Sequence, residues 1–516
     1  MTAGFAPPAA NLDELPAGTG TGRTIRRGQV GHRIRQVGIV LIAVLAAGST
    51  GRAPLVALVV VAVLAAVLIA ARPDAAALVA VGILYSNAVV VAVHHHGVPG
   101  AAAALVPMLL LVTISYRTFA LRQPLLLPRA GIWVIGLFVA QLLGAVSSRD
   151  PATSVASLQT FLLEGLVLFA LLTNALRGAQ MLRAAAVVLM VTAALLGLAS
   201  AVQDAVGGTL GGFATTSKAV VNKDQDGGSK RHAGPIGEQN RWAQSLAVVL
   251  PVALALATSD RERSIRLLGK LCCGGILVGI VLTYSRGAVV GLALTGLIAV
   301  AARWVRVKVA VTVVVVAVIG LAAFAPVFVG RASTVVDAGS SVSKADDRNA
   351  QVDGSVANRT TEATAAFSVF SRHPAVGVGV GLFPTYFQDE ARRQGADRIV
   401  GVNREAHDLY LGIAAEMGLA GLITFAGLIV ALITPLAAVR RRELAERRDV
   451  AMLATGLALG VVTYLTTGLF LHFAYIRYFW LLASLAAAMG MVEATDGSRI
   501  GGSRAPTVAR AAEVAR

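Results

Sequence analysis

One arginine lies between two apolar segments with almost no loop around it, a position suited to binding a phosphate. Arg286 is part of Leu282–Ala288, where one apolar run ends and the next begins. A guanidinium group binds phosphate oxygens through two parallel hydrogen bonds, so this residue is a candidate for holding an anionic substrate at a membrane surface. Arginine also anchors helices by reaching lipid headgroups, and the sequence leaves both roles open.

A second group of polar residues precedes another apolar run. Arg231, Asn240 and Arg241 belong to the segment Arg231–Ala243, whose glycines let the backbone approach a ligand closely. A turn followed by a helix that Asn240 caps would explain the asparagine. It would not explain the two arginines, so all three residues are candidates for substrate binding.

A histidine opens a third segment, His407–Gly421. In a helix, Tyr410 would share a face with His407, whose imidazole suits a general base near neutral pH. A surface or capping histidine is the alternative. Glu416 would lie almost three turns into an apolar helix, where a carboxylate needs a partner or a function.

The sequence predicts no cofactor and no metal site. Three adjacent histidines, residues 94–96, would project in different directions from a helix, and no carboxylate with ligand spacing accompanies them. The glycine string of residues 377–381 lacks the strand and helix context of a dinucleotide site. Cys272 and Cys273 are adjacent within an apolar run, which favours packing in lipid.

Helices that cross a membrane must position these residues. The chain is 56% hydrophobic and only 14% charged, whereas about a quarter of residues are charged in soluble proteins. An apolar run of roughly 20 residues can cross the hydrocarbon layer as a helix. The sequence therefore predicts an all-α polytopic membrane protein with about 12–14 transmembrane helices. The candidate spans are residues 36–50, 54–71, 75–93, 100–118, 130–147, 156–175, 182–203, 242–258, 264–284, 287–303, 308–326, 408–437, 450–471 and 474–492.

The distribution of basic residues predicts the orientation of these spans. Lysine and arginine are concentrated in short cytoplasmic connections of membrane proteins, so both termini are expected in the cytoplasm and the two long loops outside. The net charge of +17 does not indicate nucleic-acid binding, because most basic residues lie in short segments between apolar runs. The short connections on the outer side keep only Arg52, Arg149, Arg286 and Arg477.

The two outer loops are the functional candidates, because loops on a rigid scaffold often carry binding sites. In the larger loop, a polar stretch reaches Asn358, and the apolar stripe Ala363, Phe367 and Phe370 then predicts a short helix over residues 359–372. The expected segments are a disordered basic cytoplasmic tail (1–35), N-terminal spans (36–203), an outer loop (204–241), core spans (242–326), a large extracytoplasmic loop (327–407), C-terminal spans (408–492) and a cytoplasmic tail (493–516).

Four blocks of sequence together resemble the O-antigen ligase and polysaccharide polymerase superfamily. They share an outer location and the family's order and spacing, and they are Gly234–Asn240, Tyr284–Gly287, Arg359 with His373–Phe383, and His407 followed after ten residues by Gly418. The last block matches the His-x10-Gly signature of the ligases, although Asp408 stands where the family often has asparagine. The blocks cover residues 230–421, and the N-terminal spans resemble the family only in hydropathy.

The resemblance implies a GT-C-like fold and a location in a bacterial cytoplasmic (inner) membrane. It also implies that the protein is a glycosyltransferase that needs no metal and no nucleotide sugar. Its donor would be a polyprenyl-diphosphate-linked glycan, and its acceptor would be a glycan or lipid hydroxyl. Arg286 and Arg359, with Arg231, would hold the diphosphate and stabilise the leaving group. His407 would position or deprotonate the acceptor, and Glu416 would orient His407 or its helix.

Other functions also fit the sequence. A polysaccharide polymerase of the same superfamily would share the four blocks and differ in its acceptor. A membrane transporter would be expected to have charged residues in mid-membrane and paired, broken spans. An assembly role without catalysis is a further alternative, because a fold does not fix a function.

Overall fold

The computed structural model describes residues 72–206, 219–221, 230–308, 311–312, 315, 350–394, 404–471 and 477–492. The expected tails 1–35 and 493–516 lie outside these residues. The expected spans 36–50 and 54–71 also lie outside them, as does most of the 308–326 run.

Helices make up nearly all of the secondary structure in this part of the chain. They are α1 (Asp74–Ser86), α2 (Ala88–His96), α3 (Leu105–Ser115), α4 (Arg129–Val146), α5 (Pro151–Thr160), α6 (Leu168–Ala175), α7 (Ala179–Val206), α8 (Gln239–Ser259), α9 (Arg263–Leu282), α10 (Arg286–Ala301), α11 (Ala350–Arg372), α12 (Phe383–Arg393), α13 (Leu409–Glu443), α14 (Arg448–Gly468) and α15 (Arg477–Gly490). Short 3-10 turns (Gly100–Ala104, Gly234–Ile236) and π-helical segments (Tyr116–Ala120, Phe161–Val167) adjoin some of them. Strands β1 (Ala219–Val221) and β2 (Lys230–His232) pair antiparallel.

Many of these helices are built to cross a membrane. Among the described residues, 8 helical segments are long and apolar enough, and the bent pair Asp74–Ser86 and Ala88–His94 brings the number to 9. Large apolar side chains on their outer faces, such as Leu271 and Leu297, are exposed, as expected where lipid is the solvent. The chain is thus an all-α polytopic membrane protein, and this prediction is confirmed.

Helix α8 forms the centre of the bundle, where it packs against α7, α9 and α14. A Cβ on Gly456 of α14 would lie 2.9 Å from Pro251 O of α8, so the two backbones are in direct contact. Small residues permit such close packing, which drives helix association in lipid. The end of α8 at Asp260 is held by two 2.6 Å hydrogen bonds from Arg183. We call this end of the bundle the opposite face, and the end that carries His407 the His407 face.

Helix α13 is interrupted at Gly418 (φ 60°, ψ −154°), a backbone conformation that is essentially restricted to glycine. Residues 374–382, which we call the glycine loop, supply the hydrogen bonds that the interrupted helix lacks. The donors and acceptors pair at 2.8 to 3.1 Å, and they are Val378 N to Ala415 O, Gly379 N to Glu416 O, Leu419 N to Pro374 O and Ala420 N to Ala375 O. The loop thus completes the backbone hydrogen bonding on both sides of the break.

The glycine string has a packing role in this arrangement. Gly377, Gly379 and Gly381 have positive φ values of 69°, 103° and 80°. A Cβ on Gly377 would overlap the backbone of Glu416 and Met417. Only glycine lets the loop reach the backbone of α13 so closely.

The helix predicted at residues 359–372 is present as part of α11, but it begins earlier, at Ala350. The prediction of a polar, non-helical stretch up to Asn358 is therefore wrong for residues 350–358. Each added residue of a helix contributes one backbone hydrogen bond whatever the polarity of its side chain. The apolar pattern consequently did not mark the start of this helix.

Candidate functional site

His407 lies in the turn before α13 and not on the helix itself. Its φ is 46°, and Asp408 caps the helix by accepting a hydrogen bond from Leu411 N at 2.8 Å. The expectation that His407 and Tyr410 share a helical face is wrong, because a left-handed residue turns the chain away from the helix. The His407 side chain is 40% exposed and is therefore accessible to a ligand.

One ring nitrogen of His407 faces two oxygen atoms. Nδ1 lies 3.0 Å from Glu405 O and 3.1 Å from Glu362 Oε2. Both oxygens are acceptors, so this hydrogen-bond network assigns the proton to Nδ1. In the neutral ring, Nε2 then carries the lone pair and is the atom that can accept a proton from a ligand.

Glu362 on α11 is the buried partner of His407. Its side chain is 1% exposed, and its Oε1 lies 2.8 Å from Arg404 Nη1. Burial opposes ionisation of Glu362, but hydrogen bonds from His407 and Arg404 hold its pKa below the usual value. The hydrogen bond to Glu362 raises the pKa of His407, against the effects of burial and of the Arg359 charge. The two side chains form a carboxylate–imidazole dyad in which the imidazole is a stronger base than usual.

An ion pair joins the segment before His407 to α8. Arg241 Nη2 lies 2.5 Å from Glu405 Oε2, and the two side chains are 30% and 41% exposed. An exposed pair of this kind contributes at most about 1 kcal/mol to stability, so its main effect is on position. Arg241, a predicted substrate ligand, thus lies at the edge of the site with a carboxylate as its partner.

The first turn of α8 is capped by Glu238 and not by Asn240. The Glu238 carboxylate accepts hydrogen bonds from Asn240 N at 3.0 Å and from Arg241 N at 2.6 Å. The alternative in which Asn240 is the N-cap is therefore wrong. The amide side chain of Asn240 instead contacts Arg231.

Arg231 links two of the sequence blocks. Its Nε donates to Thr283 O at 3.0 Å, and its Nη2 donates to Asn240 Oδ1 at 3.2 Å. Thr283 is in the turn that leads into Arg286, and Asn240 is next to Arg241. A continuous series of contacts therefore runs from the turn before Arg286, through Arg231 and α8, to the residues around His407.

Arg286 and Arg359 are both exposed. Arg286 is the first residue of α10, after Ser285, whose hydroxyl caps the helix by accepting a hydrogen bond from Ala288 N at 3.4 Å. Arg359 precedes Glu362 by one helical turn of α11, and its charge acts on His407. Within the described part of the chain, no group of three His, Cys, Asp or Glu side chains is arranged to hold a metal ion. The exposed guanidinium groups of Arg286 and Arg359 can bind a phosphate.

Tyr410 and Glu416 have partners within the scaffold. The Tyr410 hydroxyl donates to Leu465 O at 2.9 Å. Glu416 is 4% exposed and accepts a hydrogen bond from Phe383 N, just after the glycine loop, at 3.3 Å. These contacts favour positioning roles over direct contact with a substrate.

Glu362, Arg404 and Glu405 were not predicted from the sequence. Glu362 falls off the stripe Ala363–Phe367–Phe370, which suggested a solvent-facing residue. In the structure Phe367 is 60% exposed, and Glu362 lies on the buried face of α11. The polar partners that make this burial possible are more than forty residues away in sequence, so periodicity gave no sign of them.

Residues 271–426 match the family model described as O-Antigen ligase. This part of the chain is similar to O-antigen ligases. The match confirms the resemblance to the O-antigen ligase and polymerase superfamily, and it contains three of the four blocks. A search of curated proteins found no match.

The matched residues 271–426 include the dyad and the exposed arginines Arg286 and Arg359. Arg231, Asn240 and Arg241 precede them in sequence. The Arg231–Thr283 and Arg241–Glu405 contacts nevertheless join these residues to the matched part of the chain.

Proposed function

We propose that this protein is a metal-independent glycosyltransferase of the O-antigen ligase type. It transfers a glycan from a polyprenyl-diphosphate carrier to an acceptor hydroxyl at the outer face of the bacterial inner membrane. The family match supports a lipid-linked glycan as the substrate class. The observation that carries the finer proposal is the dyad, in which Glu362 and Glu405 O fix His407 Nδ1 and leave Nε2 as the base.

His407 is the general base of the proposed reaction. Its Nε2 takes the proton of the acceptor hydroxyl while the acceptor oxygen forms a bond to the anomeric carbon of the donor glycan. The bond between that carbon and the diphosphate oxygen breaks, and the diphosphate leaves with the electron pair. The Glu362 carboxylate, 3.1 Å from Nδ1, stabilises the imidazolium that forms.

Arg286 and Arg359 bind the diphosphate in this proposal. Negative charge builds on the leaving oxygen as the bond breaks, and guanidinium groups fixed nearby stabilise that charge. Arg231 and Asn240 act by holding the turn before Arg286, and Tyr410 and Glu416 act by holding the helix that follows His407.

Transfer by the purified protein in nanodiscs, from an undecaprenyl-diphosphate-linked oligosaccharide with EDTA present, tests the proposal. We expect His407→Ala to lower the rate by about 10²–10⁴-fold, the usual contribution of a general base, and Arg286→Ala to lower it strongly as well. Arg263→Ala changes an exposed arginine on the opposite face and should leave the rate unchanged. A wild-type rate in His407→Ala, or a requirement for a divalent metal, would contradict the proposal.

A polymerase of the same superfamily is the alternative that the family match equally supports. The same base and the same arginines would serve, because only the acceptor differs. A polymerase product remains attached to a polyprenyl diphosphate, whereas a ligase product carries a different acceptor at its new end. Mass spectrometry of the product distinguishes the two.

Two interrupted spans are features that a membrane transporter would share. They are the α1–α2 pair, bent by 56° at Asn87, and α13 at Gly418. Transporters use unpaired backbone groups at such breaks to bind ions. Here the glycine loop supplies the hydrogen bonds at Gly418, and the Asn87 side chain contacts Pro235 O at 2.8 Å and Arg477 at 2.9 Å. Because the glycine loop completes the backbone hydrogen bonds at Gly418 and the Asn87 side chain is already paired within the protein, the described structure favours the glycosyltransferase.

A further inference from the structure

A deep groove opens between α9 and α10, with α8 and α14 forming its other walls. It forms because α10 packs against α14 and diverges from α9. Its volume is about 870 Å³, within the range of about 300–1,000 Å³ that is usual for ligand sites. The groove extends from Val289, near the start of α10, to Val307 at the opposite face.

The walls of this groove offer almost no polar atoms to a ligand. Most lining side chains are aliphatic. The hydroxyl groups of Thr258, Thr295 and Thr455 donate to carbonyls four residues earlier in their own helices, at 2.7, 2.8 and 2.8 Å. A surface whose polar groups are already paired suits a hydrocarbon chain.

The end of the groove at the opposite face is strongly basic. Arg303, Arg306, Arg440 and Arg448 line it, and no lining residue in the described part of the chain is acidic. Arg440 lies over the Trp304 ring, 5.8 Å from its centre, and its Nε is buried without a hydrogen-bond partner. Four positive charges at one place repel each other, so they favour an anion between them.

We propose that this groove binds an anionic phospholipid. Its acyl chains lie along the aliphatic walls, and its headgroup phosphate lies among the four arginines. Basic pockets between transmembrane helices bind anionic headgroups, and tryptophan prefers the headgroup level, where Trp304 lies beside these arginines. A zwitterionic lipid carries its own cation and would not balance the cluster. The four arginines are at the far end of α10 from Arg286, so the headgroup site is separate from the transfer site.

Lipid retention tests the charge part of the proposal. The purified protein is equilibrated with phosphatidylglycerol or phosphatidylcholine, and the lipids that remain bound are counted by native mass spectrometry. We expect the double variant Arg306→Gln, Arg440→Gln to retain phosphatidylglycerol about tenfold less than wild type. The matched control Arg263→Gln, Arg441→Gln removes the same charge from exposed residues that do not line the groove, and it should retain the lipid.

A pair of glycine variants tests the groove without changing any charge. Gly296 lines the groove, and a Cβ added to it meets no atom within 4 Å. A Cβ added to Gly274 of α9 also meets no atom within 4 Å, but Gly274 does not line the groove. Gly296→Phe should reduce phosphatidylglycerol retention, whereas Gly274→Phe should not.

If the double arginine variant fails to fold, the two glycine variants still test whether the groove binds the lipid. The proposal is overturned if wild type retains no anionic lipid or retains phosphatidylcholine equally well. It is also overturned if each test variant behaves like its control. Neither result bears on the transfer reaction, which is measured at the other end of the bundle.

Discussion

Glu362 is ionised although only 1% of its side chain is exposed, because Arg404 and His407 both contact its carboxylate. A buried charge without such partners would cost several kcal/mol. The carboxylate in turn fixes the imidazole and makes it more basic. The reactivity that we propose for His407 therefore depends on a residue that would touch neither donor nor acceptor.

Replacing Glu362 with glutamine tests this dependence through the pH profile of kcat/KM. The base is neutral His407, so the wild-type rate rises with pH through the raised pKa of this residue. Without the carboxylate that pKa falls, and we expect the acid limb to move to lower pH while the maximum rate decreases. Glu390→Gln is the matched control, because Glu390 is also a buried, arginine-paired carboxylate but lies outside the dyad. An acid limb that stays in place in Glu362→Gln would assign Glu362 a structural role only.

The Arg241–Glu405 pair gives a second prediction at this scale. If Arg241 binds donor phosphate, its carboxylate partner competes with the donor. We expect Arg241→Gln to raise the KM for the donor about tenfold, as for the loss of one charged hydrogen bond, and Glu405→Gln to lower it. Initial rates at varied donor concentration measure both effects. The same change of KM in both variants would mean that the pair serves only to hold the segment 404–407.

At the scale of secondary-structure elements, the glycine loop and α13 act as one unit. The loop supplies four backbone hydrogen bonds across the break at Gly418, and α11 packs against both α12 and α13. The position of His407, one residue before the helix cap, therefore depends on a loop that itself contributes no candidate ligand.

Gly418→Ala should destabilise the protein by at least about 1–3 kcal/mol, because φ 60° with ψ −154° is unfavourable for any residue with a Cβ. The added Cβ would also lie 2.6 Å from the carbonyl of Ala375. The midpoint of thermal unfolding in detergent measures the loss. Gly274→Ala, at an exposed helix position with open space around it, should not lower the midpoint, because alanine favours a helix more than glycine does. Equal midpoints for the two variants would show that the break is not required.

The spans in the described part of the chain, the Ser-Arg-Gly block and the His-x10-Gly block were predictable because their signals are local. These signals are the apolar length of each span and the fixed residue order or spacing of each block. The packing role of the glycine string was not predictable. The string forms hydrogen bonds with residues about forty positions further along the chain, and the sequence does not show that contact. Glu362 was missed for the same reason. Local periodicity predicts a helix, but it does not show which polar residue of that helix forms an ion pair with a residue distant in sequence.

At the scale of the whole molecule, the described helix bundle has two chemically different ends. The His407 face carries the dyad and the exposed arginines of the transfer site. The opposite face carries the Arg183–Asp260 pair and the four arginines of the lipid groove. The distribution of basic residues predicts that the His407 face is outside.

Labelling of single cysteines in intact cells tests this orientation. Asp389→Cys lies at the His407 face and Glu446→Cys at the opposite face, and both positions are exposed. We expect a membrane-impermeant maleimide to label Asp389→Cys directly and Glu446→Cys only after the cells are broken. The natural Cys272 and Cys273 are buried and should give little background. The reverse pattern would place His407 in the cytoplasm and exclude a transfer reaction outside.

The interruption of α13 also has a geometric consequence. It divides a helix of 35 residues into a short arm, Leu409–Met417, and a long part, residues 419–443. The arm is roughly 13 Å long, with His407 at its tip and the glycine loop attached at its base. The direction of this arm, and with it the position of the imidazole, is therefore set by the backbone angles of Gly418.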